Sequence, residues 1–337
     1  MDTNKNLARP FVFCPTKTIR LRSLLDPIFS NRELPKWPQF RERTVIPFYL
    51  GRIALWHLCD IWNVQPGDEV LMPAYNCGTE VDPFLARGLE VKFYRVEESG
   101  RMDMDDVKNR CGARTRILYI THLLNGHQAV GALYKWCKSN NIRVVEDCAL
   151  ALFSQSSEGY LGTLADAAIF SFKKFLPVPD GGVLSMREPV NNSKVSLERP
   201  PFGRLLRSLL PFAKSSAFST LDACRLYDPW IATTHRMRRK SKAFGRQYEL
   251  EDRSMPRSYY FDMRYRDCTF SRMAAGVLRR TDPEVVVSRR RKNYAALVAF
   301  LDSIEGINIP RKVLDNGICP VGLFVTVPQR QRMVEML

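Results

Sequence analysis

The sequence predicts an α/β fold built on a mostly parallel sheet, and two observations carry that prediction. Between residues 50 and 186, short apolar or β-branched runs alternate with longer stretches whose apolar spacing is closer to 3.6 than to 2, the signature of βαβ units. The chain of 337 residues, 45% hydrophobic and 26% charged, is also long and apolar enough for a large core, which excludes a disulfide mini-scaffold, collagen, coiled coil or wholesale disorder.

The elements follow in chain order. Gly51 opens a helical run that continues through Cys59. Strands are expected at Glu69–Met72, Leu89–Val96, Arg116–Thr121, Arg143–Glu146, Ala167–Phe172 and Gly182–Ser185, with helices at Asp103–Arg110 and Val130–Asn140 between them. From 187 to about 260 the regularity fails. This Arg-, Ser- and Pro-rich segment contains RLLRSLLPFAKSSAF, read as a solvated basic amphipathic helix packed on the large domain, with a membrane-surface helix as the alternative. Helical text returns with SRMAAGVLRRTD and with a long element opened by Pro283, and the apolar run Val321–Val327 reads as a strand. The predicted domains are an N-terminal segment (1–45), a large domain (46–260) with a basic irregular insertion near 187–260, and a small C-terminal α+β domain (261–337).

The net charge of +16 points to an anionic partner such as a phosphate, nucleotide, nucleic acid or acidic lipid. It is concentrated at one end: residues 1–190 carry net +3 and residues 191–337 net +13. The nine cysteines form no CxxC pair and only four histidines accompany them, so zinc-site spacing is missing and no metal is expected. The N-terminus has no secretory pattern, and no apolar run approaches the roughly 20 residues of a membrane-spanning helix. The expectation is a cytoplasmic protein with reduced thiols and no transmembrane segment.

In parallel sheets ligands bind beyond the carboxyl ends of the strands, and three features fall there. Leu50-Gly51-Arg52-Ile53 starts a helix where backbone N–H groups, the helix dipole and Arg52 suit a phosphate, although an ordinary cap explains the glycine equally well. The strand Val144-Val145 ends in Glu146-Asp147-Cys148-Ala149, and a carboxylate at the mouth of a buried strand needs a cation or donors unless it is a helix N-cap. Ala168–Phe172 runs into Lys173-Lys174 and then a Pro-x-Pro and Gly181-Gly182 turn, which suits a lysine held for Schiff-base chemistry or else a plain surface turn.

Taken together, GRIALWHLCDIWNVQPGDEVLMPAYNCGTEVDPFLARGLEVKFYRV, THLLNGH, EDCALAL, GTLADAAIFSFKK and PDGG resemble the DegT/StrS family of pyridoxal-phosphate-dependent sugar aminotransferases, of the aspartate aminotransferase type I fold. The resemblance is strong over residues 45–186 and looser over 270–337. It implies that Lys174, seven residues before Gly181, holds the cofactor, with Lys173 as the alternative. It likewise implies that Asp147 faces the pyridine nitrogen, that Gly51, Arg52 and Ile53 form the phosphate turn, and that the Ser171 hydroxyl contacts the same phosphate. His122 matches a strand-end histidine at the pocket wall.

Three departures bear on reaction and substrate. Leu150 stands where the family has Gln or His against the cofactor's phenolic oxygen, and Cys77 replaces the aromatic ring that stacks on the pyridine. The interval from Ser171 to the lysine is two residues shorter than in most members. The retained lysine argues against the dehydratase branch, which has histidine there. The small domain looks shortened relative to the family, and the segment 259–273, with Arg266, occupies the place from which a neighbouring subunit reaches the phosphate.

Other residues have plainer readings. His57 is expected as a satisfied core histidine, His127 and His235 as solvated loop residues, Arg236–Lys240 as a solvated face with no nucleic-acid motif, and Arg289–Lys292 as the structural start of a small-domain helix. The resemblance implies a homodimeric transaminase that uses pyridoxal 5'-phosphate and an amino donor such as glutamate. Its substrate would be a nucleotide-linked keto sugar of glycan, polysaccharide or natural-product biosynthesis, and no nucleic-acid partner is expected. The alternatives are a catalytically altered or inactive member that binds an anionic partner, and a pyridoxal phosphate enzyme with different chemistry.

Overall fold

The computed structural model describes residues 34–190, 195–201, 203 and 261–328. Nine strands lie in the first of these stretches: β1 (Thr44–Phe48), β2 (Glu69–Pro73), β3 (Glu90–Tyr94), β4 (Thr115–Thr121), β5 (Arg143–Asp147), β6 (Gln155–Ser156), β7 (Gly159–Tyr160), β8 (Ala167–Ser171) and β9 (Gly182–Met186). Seven form one sheet in the order β1-β9-β8-β5-β4-β2-β3. All neighbours are parallel except β9, which runs antiparallel to both β8 and β1. The pair β6–β7 makes a small separate hairpin.

The strand expectations hold to within about two residues, and three strands escaped them, β1 and the two-residue β6 and β7. β1 carries Pro47, which a ladder tolerates at an edge, and β1 is an edge strand.

The helices are α1 (Gly51–Ile61), α2 (Asp82–Ala86), α3 (Met104–Arg110), α4 (Val130–Ser139), α5 (Arg272–Arg279) and α6 (Pro283–Leu301). Side-chain caps start three of them: Asp103 accepts from the Asp106 N–H, Ser271 from that of Ala274, and Asp282 from those of Glu284 and Val285 ahead of a helix with Pro at its first position.

Because side chains alternate along a strand, the sheet separates its neighbours into two faces. Val70, Met72, Ile117, Tyr119, Val145 and Ile169 meet Ile53, Leu55 and Leu58 of α1 and Phe84 of α2. Leu71, Leu118, Ile120 and Val144 meet Val107 of α3 and Leu133 and Cys137 of α4. A third cluster joins Ala168, Phe170, Phe172 and Val183 to Trp37, Phe40 and the α5 residues Ala274 and Leu278. The segment from Phe261 to Leu278 thus packs on the sheet: Phe261 stacks on Trp56, Cys268 joins the α1 face, and Phe270 joins the third cluster.

One expectation is corrected. Val321–Val327 is not a strand, and its sole ladder contact is a bridge between Asn308 and Thr326. Its carbonyls and N–H groups serve side chains instead, as Arg290 takes those of Pro320 and Val321 while Asn125 binds Val321 N and Gly322 O. The basic amphipathic stretch 204–218, the cluster 236–240 and His235 lie outside the described residues. Among the described residues no helix is long and apolar enough to cross a membrane.

Candidate active site

The carboxyl ends of β5 and β8 and the start of α1 converge. Leu50 is extended and gives the 11-residue helix α1 no side-chain cap. That helix start lies directly on Gly182. A Cβ at Gly182 would sit 2.2 Å from Gly51 N and from Leu50 C. The preceding Gly181, at φ +119°, donates to Tyr49 O at 2.8 Å, and Gly182 pairs in register with Ser171 of β8. Glycine is required at both positions, at Gly181 by backbone conformation and at Gly182 by close approach. Gly51, Arg52 and the half-buried Ser171 are thereby gathered at one point, with Ile53 buried beneath.

Asp147 ends β5 on the α1 face and is 6% exposed. Its Oδ2 accepts from the Tyr119 hydroxyl at 2.7 Å and its Oδ1 from Ala149 N at 2.7 Å. Burial and then the Glu80 charge raise its pKa above the ordinary aspartate value, while Lys174, Tyr119 and Ala149 act the other way. Burial likewise raises the Tyr119 phenol, with Asp147 adding to it, so Tyr119 stays a donor. Lys173 and Lys174 sit in a 3-10 turn after β8, both exposed, and it is Lys174 whose charge acts on Asp147.

Leu150 is half-buried three residues past Asp147. Cys77 is exposed in the loop after β2, with its thiol 2.7 Å from Glu80 Oε2. Burial, followed by the Glu80 hydrogen bond, raises the thiol's pKa.

His122 is not at an open wall. It is 1% exposed, with Nε2 at 3.1 Å from Glu146 Oε2 while Nδ1 accepts the Gln128 N–H. Glu146 points to the opposite face from Asp147 and accepts from Gly162, Leu164 and Ala165 N–H as well. Burial works to raise its pKa, but His122 and these N–H groups outweigh it and hold the carboxylate below its ordinary value. Cys148 lies close enough to His122 and Glu146 for the three to be metal-ligand types within 4.8 Å. Both Glu146 oxygens already accept two hydrogen bonds each, which leaves no lone pair for an ion.

His57 is the core histidine expected: it stacks on Phe48 and bonds Arg266 O at 2.8 Å. His127 differs from its expected solvated state, being half-buried with Nδ1 sealed and lacking a hydrogen-bond partner. The Arg266 guanidinium pairs with the adjacent Asp267. In the basic run, Arg290 bonds Pro320 O, Val321 O and Phe175 O, and Arg291 bonds Asp315 O and Ile318 O, as structural arginines do.

Sequence reading missed Glu80 and Tyr119. Glu80 lies in the family-like stretch but in a loop where nothing local singles it out, whereas Tyr119 carried a usable signal, since it sits two residues from the end of the strand beside Asp147.

Residues 44–200 match the DegT/DnrJ/EryC1/StrS aminotransferase family. That match spans just under half of the chain. GDP-perosamine synthase of Vibrio cholerae is 25% identical over 152 residues, 44% of this chain and 40% of that protein. The chain thus spans about two fifths of the length of the curated relatives it matches. Among solved structures, the aminotransferase TlmJ from Streptoalloteichus hindustanus superposes with a TM-score of 0.58 at 20% identity, covering 94% of this chain and 79% of that one. The sugar aminotransferase Spr1654 from Streptococcus pneumoniae in its PLP-form gives 0.58 at 17% identity, covering 94% and 78%. At these identities the structural likeness establishes the fold, and the family match covers the segment that holds Gly51, Asp147, Ser171 and Lys174.

Proposed function

We propose that the protein is a pyridoxal-phosphate-dependent aminotransferase acting on a nucleotide-linked keto sugar, with an amino donor such as glutamate, in the biosynthesis of a glycan, polysaccharide or natural-product sugar. The observation that carries the reading is Asp147: a buried carboxylate, oriented by Tyr119 and Ala149, that senses the charge of Lys174 across the strand ends. The donor set suits the cofactor. The α1 N-terminus, Arg52 and Ser171 offer N–H, guanidinium and hydroxyl donors to a phosphate dianion, and the bare Cα of Gly182 leaves the helix start uncrowded.

When bound, pyridoxal phosphate supplies the electron-withdrawing ring that makes an amino donor's Cα–H acidic. The chain's residues do the rest. Asp147 holds a proton at the ring nitrogen, Lys174 Nζ tethers the group and moves a proton at the donor Cα, and the α1 turn with Arg52 and Ser171 fixes the phosphate. Leu150 and Cys77 leave the ring face and phenolic edge without the usual polar and aromatic contacts, which bears on substrate choice more than on cofactor retention.

We further assign the protein to the cytoplasm as a homodimer, on the basis of the family resemblance. The test is a half-reaction: purified protein loaded with pyridoxal phosphate is mixed with glutamate, then with a panel of nucleotide-linked keto sugars. Conversion of glutamate to 2-oxoglutarate followed by amination of one sugar supports the reading. Cofactor uptake with no amino transfer from any donor contradicts it.

A further inference from the structure

Glu80 lies within the family-like stretch 51–96 with no role assigned to it from the sequence, and it stands in the loop between β2 and α2. That loop is shaped from within: Asn76 Nδ2 donates to Pro73 O at 2.8 Å, Gly78 N donates to Asn76 Oδ1 at 2.7 Å, and Gly78 adopts φ +75°. At its base Glu80 is 9% exposed. Its Oε1 accepts the Cys77 N–H at 3.2 Å and its Oε2 accepts the Cys77 thiol at 2.7 Å, while the Thr79 hydroxyl lies 3.0 Å from the same sulfur. The charge of Glu80 also reaches Asp147 and Tyr119.

We propose that Glu80 is a positioning residue, whose carboxylate clamps the Cys77 N–H and thiol in the loop after β2 and whose charge bears on Asp147. The groups facing Asp147 are Glu80 from this loop, Tyr119 from β4, Lys174 from the turn after β8, and the adjacent Cys148. A protonated ring nitrogen at Asp147 would meet two carboxylate charges there, those of Asp147 and Glu80. The charge half of the inference therefore rests on the proposed pyridoxal phosphate site, whereas the clamp half stands on the loop geometry alone.

The clamp is tested on cofactor-free protein with an aromatic disulfide reagent at pH 8, the labelled cysteine being read by mass spectrometry and Cys77→Ser serving as the blank. Glu80→Gln removes the accepting carboxylate and Glu80→Asp shortens its reach. In both variants Cys77 should react several-fold faster than in the wild type, because more of the thiol ionises and it is no longer held. Unchanged reactivity in both variants overturns the clamp.

The charge is tested by the pH dependence of pyridoxal phosphate affinity in the same three proteins. Glu80→Gln should move the acid limb to lower pH, since Asp147 then ionises more readily, while Glu80→Asp, which keeps the charge, should leave it near the wild-type position. A limb that does not move in Glu80→Gln overturns the charge half. A wild-type protein that takes up no pyridoxal phosphate overturns the proposed function and the charge half with it, and the thiol measurement still decides the clamp.

Discussion

The Tyr119 hydroxyl donates to Asp147 Oδ2 across 2.7 Å, joining neighbouring strands β4 and β5 at the point where the sheet opens onto the start of α1. Both side chains are buried on the α1 face, so the bond orients Asp147 without water. Tyr119→Phe leaves a buried acceptor one donor short, at a cost of about 1–3 kcal/mol. Urea unfolding should register that loss, together with weaker uptake of pyridoxal phosphate.

Asp147 and its neighbour Glu146 should show opposite pH signatures in the cofactor-free protein. Burial and Glu80 raise the Asp147 pKa, so the folded chain holds that proton more tightly than the unfolded chain. Stability therefore falls as pH rises from the ordinary aspartate value through the raised one, and Asp147→Asn removes that fall. For Glu146 the burial penalty is outweighed by His122 and three backbone N–H groups, and its pKa is lowered. Its contribution is present above the ordinary glutamate value and is lost as pH falls through the lowered one. Glu146→Gln should abolish this acid-side loss and lower stability overall by roughly 1–3 kcal/mol, the cost of leaving buried donors without their charged acceptor. Melting temperatures from pH 3 to 8 check both signs.

Gly182→Ala places a methyl group 2.2 Å from the α1 backbone, so the helix start must move. The expected cost is about 1–3 kcal/mol, with loss of phosphate affinity. Gly51→Ala meets only Ile169 Cγ2 at 3.2 Å and should be milder. Calorimetry with inorganic phosphate and with pyridoxal phosphate distinguishes the two.

Much of this was legible in the sequence because strand runs and strand ends carry their own signals. Continuous apolar text marks the central strands, and Asp147, Lys174 and the Gly181-Gly182 turn fall immediately beyond them. What escaped depends on contacts distant in sequence. β1 hides behind Pro47 at an edge, where a missing N–H costs little. The run Val321–Val327 reads as a strand, yet its first backbone groups are claimed by Arg290 and Asn125, 31 to 197 residues away. Glu80 acquires meaning only when it is buried at the base of its loop and holds Cys77, and His122 turns inward because Glu146 is there to receive it.

Arg290 ties the turn that carries Lys174 to the segment at 320–321, through Phe175 O at 2.8 Å and Pro320 O at 2.9 Å. Arg290→Lys keeps the charge and loses the fork, at a cost of roughly 1–3 kcal/mol. It should also slow covalent capture of the cofactor at Lys174. Urea unfolding and the rate of absorbance change on mixing with pyridoxal phosphate are the measurements.

The central claim is that Lys174, not Lys173, is the cofactor lysine facing Asp147. The most direct test is the absorbance spectrum of the protein loaded with pyridoxal phosphate, followed by borohydride reduction and location of the modified residue by mass spectrometry. The account predicts a visible band, a reduced adduct on Lys174, and loss of both in Lys174→Ala but not in Lys173→Ala. No band in the wild type, or an adduct that stays on another lysine when Lys174 is replaced, would contradict it.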